Sequence, residues 1–172
     1  MTTLRIAALA GLGAIVVSTS AFGQSFGVVD VSAGYTRLSD DNLDLDAATL
    51  RGTVHATRNL GGEVEVNFGV GDDALGAAQV ELDSNWGVYA RGDLPIADSG
   101  AVFARVGYVD QQTTSTIGGT STSNSQDGWA AGVGGEFFVF GLNGVRIDYT
   151  HFEFDDDSAD AASISFVRRV GG

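Results

Sequence analysis

From residue 63 the chain reads EVEVNFGV, with Glu63, Glu65, Asn67 and Gly69 on one beat and Val64, Val66, Phe68 and Val70 on the other. A two-residue period belongs to an extended strand with one apolar and one polar face. Two folds use such a strand in opposite senses. A soluble sheet turns its valines to a core and its glutamates to water. A barrel in lipid turns its valines outward and its glutamates to a polar interior. The rest of the chain has to choose between them.

The same beat recurs in eight segments, about 27–38, 47–58, 63–71, 79–93, 100–109, 128–138, 144–154 and 161–170. Most approach or exceed the ~9–11 residues that a tilted strand needs to cross a bilayer. No sustained 3.6-residue period interrupts them, and only residues 72–82, DDALGAAQVEL, offer a short helix as a competitor. With 25 Gly and one Pro, the composition suits a curved all-β fold.

The connections alternate in character. The first, third, fifth and seventh are LSDDNLDLDA, DDALGAA, DQQTTSTIGGTSTSNSQD and DDDSAD; the second, fourth and sixth are NLGG, LPIADSG and VFGLN. In an up-and-down barrel alternate connections share one end, so one end is acidic and the other carries little charge. Long outer loops and short periplasmic turns give this asymmetry in outer-membrane barrels.

The faces agree. One collects the valines, isoleucines and phenylalanines. The other collects Asp30, Arg51, His55, Glu63, Glu65, Arg91, Arg105, Glu136, Arg146 and Asp148, nearly balanced in charge although the chain as a whole carries −13. A closed interior demands such balance, because an unpaired buried charge costs several kcal/mol. Tyr35, Trp86, Tyr108, Trp129 and Tyr149 all fall on the apolar face toward the acidic end of their strands. That is where interfacial aromatics belong, with an apolar body in lipid and a polar edge at the headgroups. The pattern therefore predicts an all-β fold, an eight-stranded antiparallel up-and-down transmembrane β-barrel, with the valines in lipid.

The first residues point to export. Arg5 precedes an uncharged apolar run from Ile6 to Val17, and Ala21-Phe22-Gly23 has the spacing of a signal-peptidase site. Residues 1–23 read as a signal peptide, with Ala21 as the alternative cleavage point, and 24–172 as the barrel domain. The chain has no Cys, which excludes disulfides and thiol chemistry. All nine basic residues are Arg against 22 Asp and Glu, so nucleic acid is not an expected partner.

Two stretches, GVYARGDLPIADSGAVFARVGYV (87–109) and GWAAGVGGEFFVFGLNGVRIDYTHFEF (128–154), resemble the small outer-membrane β-barrel family of OmpA-like, OmpX-like and opacity-type proteins. The resembling motifs are Tyr89-Ala90-Arg91, Leu94-Pro95, Ala104-Arg105-Val106-Gly107-Tyr108, Gly132-Val133-Gly134-Gly135-Glu136 and Arg146-Ile147-Asp148-Tyr149. The resemblance implies a bacterial outer-membrane location, contact with lipid and lipopolysaccharide, and insertion by the barrel-assembly machinery. That machinery reads a terminal Phe in the family, where this chain has Val170. No peptidoglycan-binding domain is expected after the last strand.

Three sets of candidate functional residues follow. Glu63, Glu65, Arg91, Arg105, Glu136, Arg146 and Asp148 are expected to form ion pairs in a lumen too narrow for a sizeable pore. Asp40, Asp41, Asp44 and Asp46, with Asp155, Asp156, Asp157 and Asp160, could hold divalent cations weakly, although a solvated acidic surface explains them as well. His151-Phe152-Glu153 weakly resembles the His-x-Ser pair of outer-membrane lipid deacylases, with Glu in place of the Ser nucleophile, so no catalytic residue is assigned. No cofactor is expected. The function expected is a non-enzymatic envelope or surface-interaction protein, with a narrow channel or a lipid-modifying enzyme as alternatives.

Overall fold

A computed structural model describes residues 28–40, 43–70, 72–75, 78–117, 119–155 and 158–170. Its strands are β1 (Val29–Asp40), β2 (Leu43–His55), β3 (Leu60–Gly69), β4 (Asp72–Leu75), β5 (Ala78–Ala97), β6 (Gly100–Ile117), β7 (Thr120–Phe140), β8 (Asn143–Phe154) and β9 (Ser158–Val170). Every pairing is antiparallel. β1 lies between β2 and β9, and β3 pairs with β5 from Leu60↔Gly92 to Asn67↔Asn85. These contacts close a ring of eight strands. β4 stands outside the ring and folds back on the start of β5.

The wall is inside out relative to a soluble protein. Val31, Val64, Val88, Val106, Val133, Ile147, Ile164 and Phe166 are each between 44% and 60% exposed, while Arg51, Glu63, Glu65, Arg91, Arg105 and Arg146 are each 4% exposed or less. An apolar belt of that extent has no place in water. The valines face lipid, and the glutamates face inward.

The strands outrun the sequence expectation at the acidic end. DDALGAAQVEL holds β4 and the start of β5, and its described residues form no helix. The Ser/Thr-rich stretch 110–127, expected as a loop, is a β-hairpin in which β6 and β7 stay paired from Asp110↔Asp127 to Ile117↔Thr120. Thr is a strand-former, and a Gly-Gly pair between two such runs is a sequence signal for a tight turn. Gly119 takes φ +83°, which a side chain would resist.

Two local devices shape the wall. A register shift between Leu82 and Ser84 lets Leu82 and Asn85, an odd number of residues apart, both face inward. Lower on the same strands, the Tyr89 ring leans across Gly107. A Cβ at Gly107 would stand 2.1 Å from the Val88 carbonyl oxygen and 2.6 Å from Tyr89 Cδ1. Gly107→Ala should therefore push β5 from β6 and cost about 1–3 kcal/mol, measured as a lower urea midpoint of the band that runs fast without boiling.

Candidate functional site

The lumen is built in layers, each from the inward beat of the strands. At its centre Glu63 on β3 gathers three arginines. Arg105 Nη1 donates to its Oε1 at 2.6 Å, Arg146 donates through both terminal nitrogens, and Arg91 Nη1 lies 3.3 Å from Oε2. Thr53 adds a hydroxyl donor at 2.8 Å. Glu65 takes Arg51 and Arg105, and Asp148 takes Arg146 Nε at 2.7 Å and Arg105 at 3.3 Å. Glu136 accepts from Arg91 at 2.8 Å, and Asp93 holds the other end of the same guanidinium at 2.7 Å. Phe103 packs beneath two of the cations, 3.9 Å from Arg91 and 4.4 Å from Arg146. All seven lumen residues singled out in the sequence meet in one continuous network.

The seven residues expected as ion pairs omit several members of it, although Asp30, Arg51 and His55 fall on the inward face read from the sequence. Arg51 binds Ser163 and Ser165 at 2.9 Å each as well as its acids. Asp93 ends the segment 79–93 read from the sequence and was not counted on the inward face, although the beat from Arg91 points it inward. At the short-turn end Asp30 receives Arg169 at 3.0 Å and His55 Nε2 at 2.9 Å.

Above the ions lies a belt of neutral hydrogen bonds. Thr36 meets Thr49 and Ser163, Thr49 donates to Asn67 at 2.6 Å, and Asn67 donates to Asn85 at 3.1 Å. Above that the lumen turns apolar. Leu38, Leu45, Ala47, Leu82, Val109, Ala130, Phe152, Phe154 and Ala161 fill the long-hairpin end, with Phe152 and Phe154 stacked at 6.2 Å. The signal was present in the sequence, since the beat of Arg146, Asp148 and Thr150 runs on to Phe152 and Phe154.

The outer wall carries the aromatic set. Tyr35, Trp86, Tyr108, Trp129 and Tyr149 are 41–63% exposed. Tyr108 meets Trp129 edge to face at 5.8 Å, and the hydroxyls of Tyr35 and Tyr108 donate to Asp46 and Asp127 on the neighbouring strands. The described candidate cation ligands do not converge. Asp46 pairs with Arg37 at 3.0 Å, Asp44 accepts from Ser39 at 2.7 Å, and Asp160 accepts from His151 at 2.8 Å. Asp40 and Asp155 are described and join no group of three that could hold a metal, whereas Asp41, Asp156 and Asp157 lie outside the described residues. Among the described residues no three acids or histidines are grouped to hold a metal. His151 faces outward with Nδ1 on Asp160 and Nε2 3.3 Å from Glu153, which leaves neither nitrogen to take a proton from a serine.

The sequence profile of the outer membrane protein beta-barrel domain matches residues 7–169. The chain belongs to that family. It is a bacterial outer-membrane protein, and solved structures share its fold. Ail, the attachment invasion locus protein of Yersinia pestis, is 16% identical with a TM-score of 0.65, over 84% of this chain and 99% of that one. The N-terminal β-barrel domain of Pseudomonas aeruginosa OprF is 9% identical with a TM-score of 0.64, over 86% and 100%. Neisserial surface protein A is 11% identical with a TM-score of 0.60, over 87% and 98%. Comparison with curated protein sequences gives no match.

The network ranks its members. Glu63→Gln leaves three buried arginines short of one charge and should cost about 3–5 kcal/mol. Glu136→Gln should cost about 1–3 kcal/mol, because Arg91 keeps Asp93 and Glu63. Urea titration of the refolded variants, followed by loss of the fast-running band, measures both.

Proposed function

We propose that this member of the outer-membrane barrel family is a sealed, non-enzymatic protein that braces the envelope and makes surface contacts through its acidic hairpins. The observation that carries the reading is the filled lumen. Arg91, Arg146, Glu63, Asn67, Asn85 and Phe152 are all among the most deeply buried side chains, in successive layers from the ionic centre to the long-hairpin end. Water and ions crossing such a lumen would have to separate paired charges and then pass an apolar cap. In this reading residues 1–23 are removed on export, the barrel-assembly machinery inserts 24–172, and the aromatic girdle meets lipopolysaccharide.

The outer contacts are assigned to the hairpin above the girdle. From Tyr108 to Ile117 β6 adds about 30 Å of strand. β7 pairs with β6 along this whole length, but with β8 only from Gly128 onward. Residues 120–127 therefore offer an open, exposed edge. The long-hairpin end is acidic, with Asp110, Asp127 and Asp155 beside Tyr108. Ail has been solved in complex with the heparin analogue sucrose octasulfate. The same polyanion should be repelled here by a chain of net charge −13.

Two measurements test this. Planar bilayers holding the refolded protein should show no conductance steps above baseline; regular steps would instead support the channel reading. Replacing residues 110–127, which takes away Asp110 and Asp127, by a two-glycine turn should keep the fast-running band and weaken adhesion to cationic surfaces, and heparin should bind neither form.

A further inference from the structure

At the short-turn end the lumen opens into a cavity of about 490 Å³, lined among others by His55, Arg58, Asp93, Asp98, Glu136 and Arg169. Its volume lies within the range of small-molecule sites. The ionic network forms its floor, so it is a pocket with one mouth and no exit.

The floor is short of donors. Glu136 receives Arg91 on Oε1, and no donor among the described residues reaches its second oxygen. Asp93 receives Arg91 on Oδ1, and its Oδ2 is buried without a hydrogen-bond donor, with only His55 Nδ1 at 3.4 Å. The rim is short of an acceptor. Arg169 is committed to Asp30, but Arg58, on the turn after β2, is exposed and has no hydrogen bond or ion pair among the described residues. Asp98 on the facing turn disfavours a simple anion at that rim.

We propose that this vestibule binds a small zwitterion, an α-amino acid or short peptide, with its ammonium on Glu136 and its carboxylate on Arg58. A lone cation meets Arg58 and Arg169, and a lone anion meets Glu136 and Asp98. A molecule with both charges separated satisfies floor and rim together. The cavity has room for a dipeptide. The site does not depend on the surface role proposed above, although its access to the periplasm follows from the same orientation of the barrel.

Calorimetric titration of the full barrel in nanodiscs with glycylglycine tests the proposal. Binding is expected with Kd below about 10 mM, while N-acetylglycylglycine amide, acetate and ethylammonium should give no heat. Arg58→Gln, on an exposed turn, should weaken binding at least about tenfold without moving the urea midpoint. Glu136→Gln should weaken binding by as much, alongside the lower urea midpoint expected from its place in the ionic network. Absence of heat with glycylglycine, equal binding of the blocked dipeptide or of either single ion, or unchanged binding by Arg58→Gln would each overturn it. Conductance is measured separately, so failure of the sealed-barrel reading would leave this result interpretable.

Discussion

Arginine in a lipid-enclosed interior is the constraint on which this barrel rests. Arg51, Arg91, Arg105 and Arg146 have side chains no more than about 1% exposed, and none could remain charged there alone. Each guanidinium is forked between acids on other strands, and Glu63 serves three of them. The pairs reach across the lumen as well as along the wall, from β3 to β8 and from β2 to β8. They therefore fix the barrel's cross-section. Wall hydrogen bonds alone would fix only which strands are neighbours.

The remaining layers follow from that centre. Glu65 hands one oxygen up to Asn67, and Arg105 hands a donor up to Thr150, so the neutral belt grows directly from the ions. Beyond the belt no charge remains to be matched, and leucine, valine and phenylalanine close the lumen at lower cost than further polar groups. Charge, dipole and hydrocarbon succeed one another along the axis.

Much of this was legible in the sequence. The beat of Glu63 and Glu65 against Val64 and Val66, the near-balance of inward charge and the acidic odd connections together fixed the inside-out wall. What escaped was wherever polarity served as the sign of facing inward. Phe152 and Phe154 keep the beat of Arg146 yet look like lipid-facing residues, because the lumen itself changes character toward that end. The 110–127 hairpin escaped because serine and threonine suggest a loop, although the β-branched threonines and the Gly118-Gly119 pair spell strand, turn, strand. Asp93 escaped because the strand read from the sequence stopped at it, before Leu94-Pro95, whereas β5 runs on to Ala97 and keeps Asp93 facing inward.

The unequal strand lengths give the molecule a direction within the plane of the membrane. β5, β6 and β7 run for 20, 18 and 21 residues, against 12 for both β1 and β8. One flank stands tall above the bilayer and the opposite flank ends near it. A barrel spinning about its axis thus turns a raised blade and a low back to its neighbours in alternation. Crowded against other proteins, it would be held in one orientation by its shape alone, and contacts made by the blade would then point the same way in every copy so held.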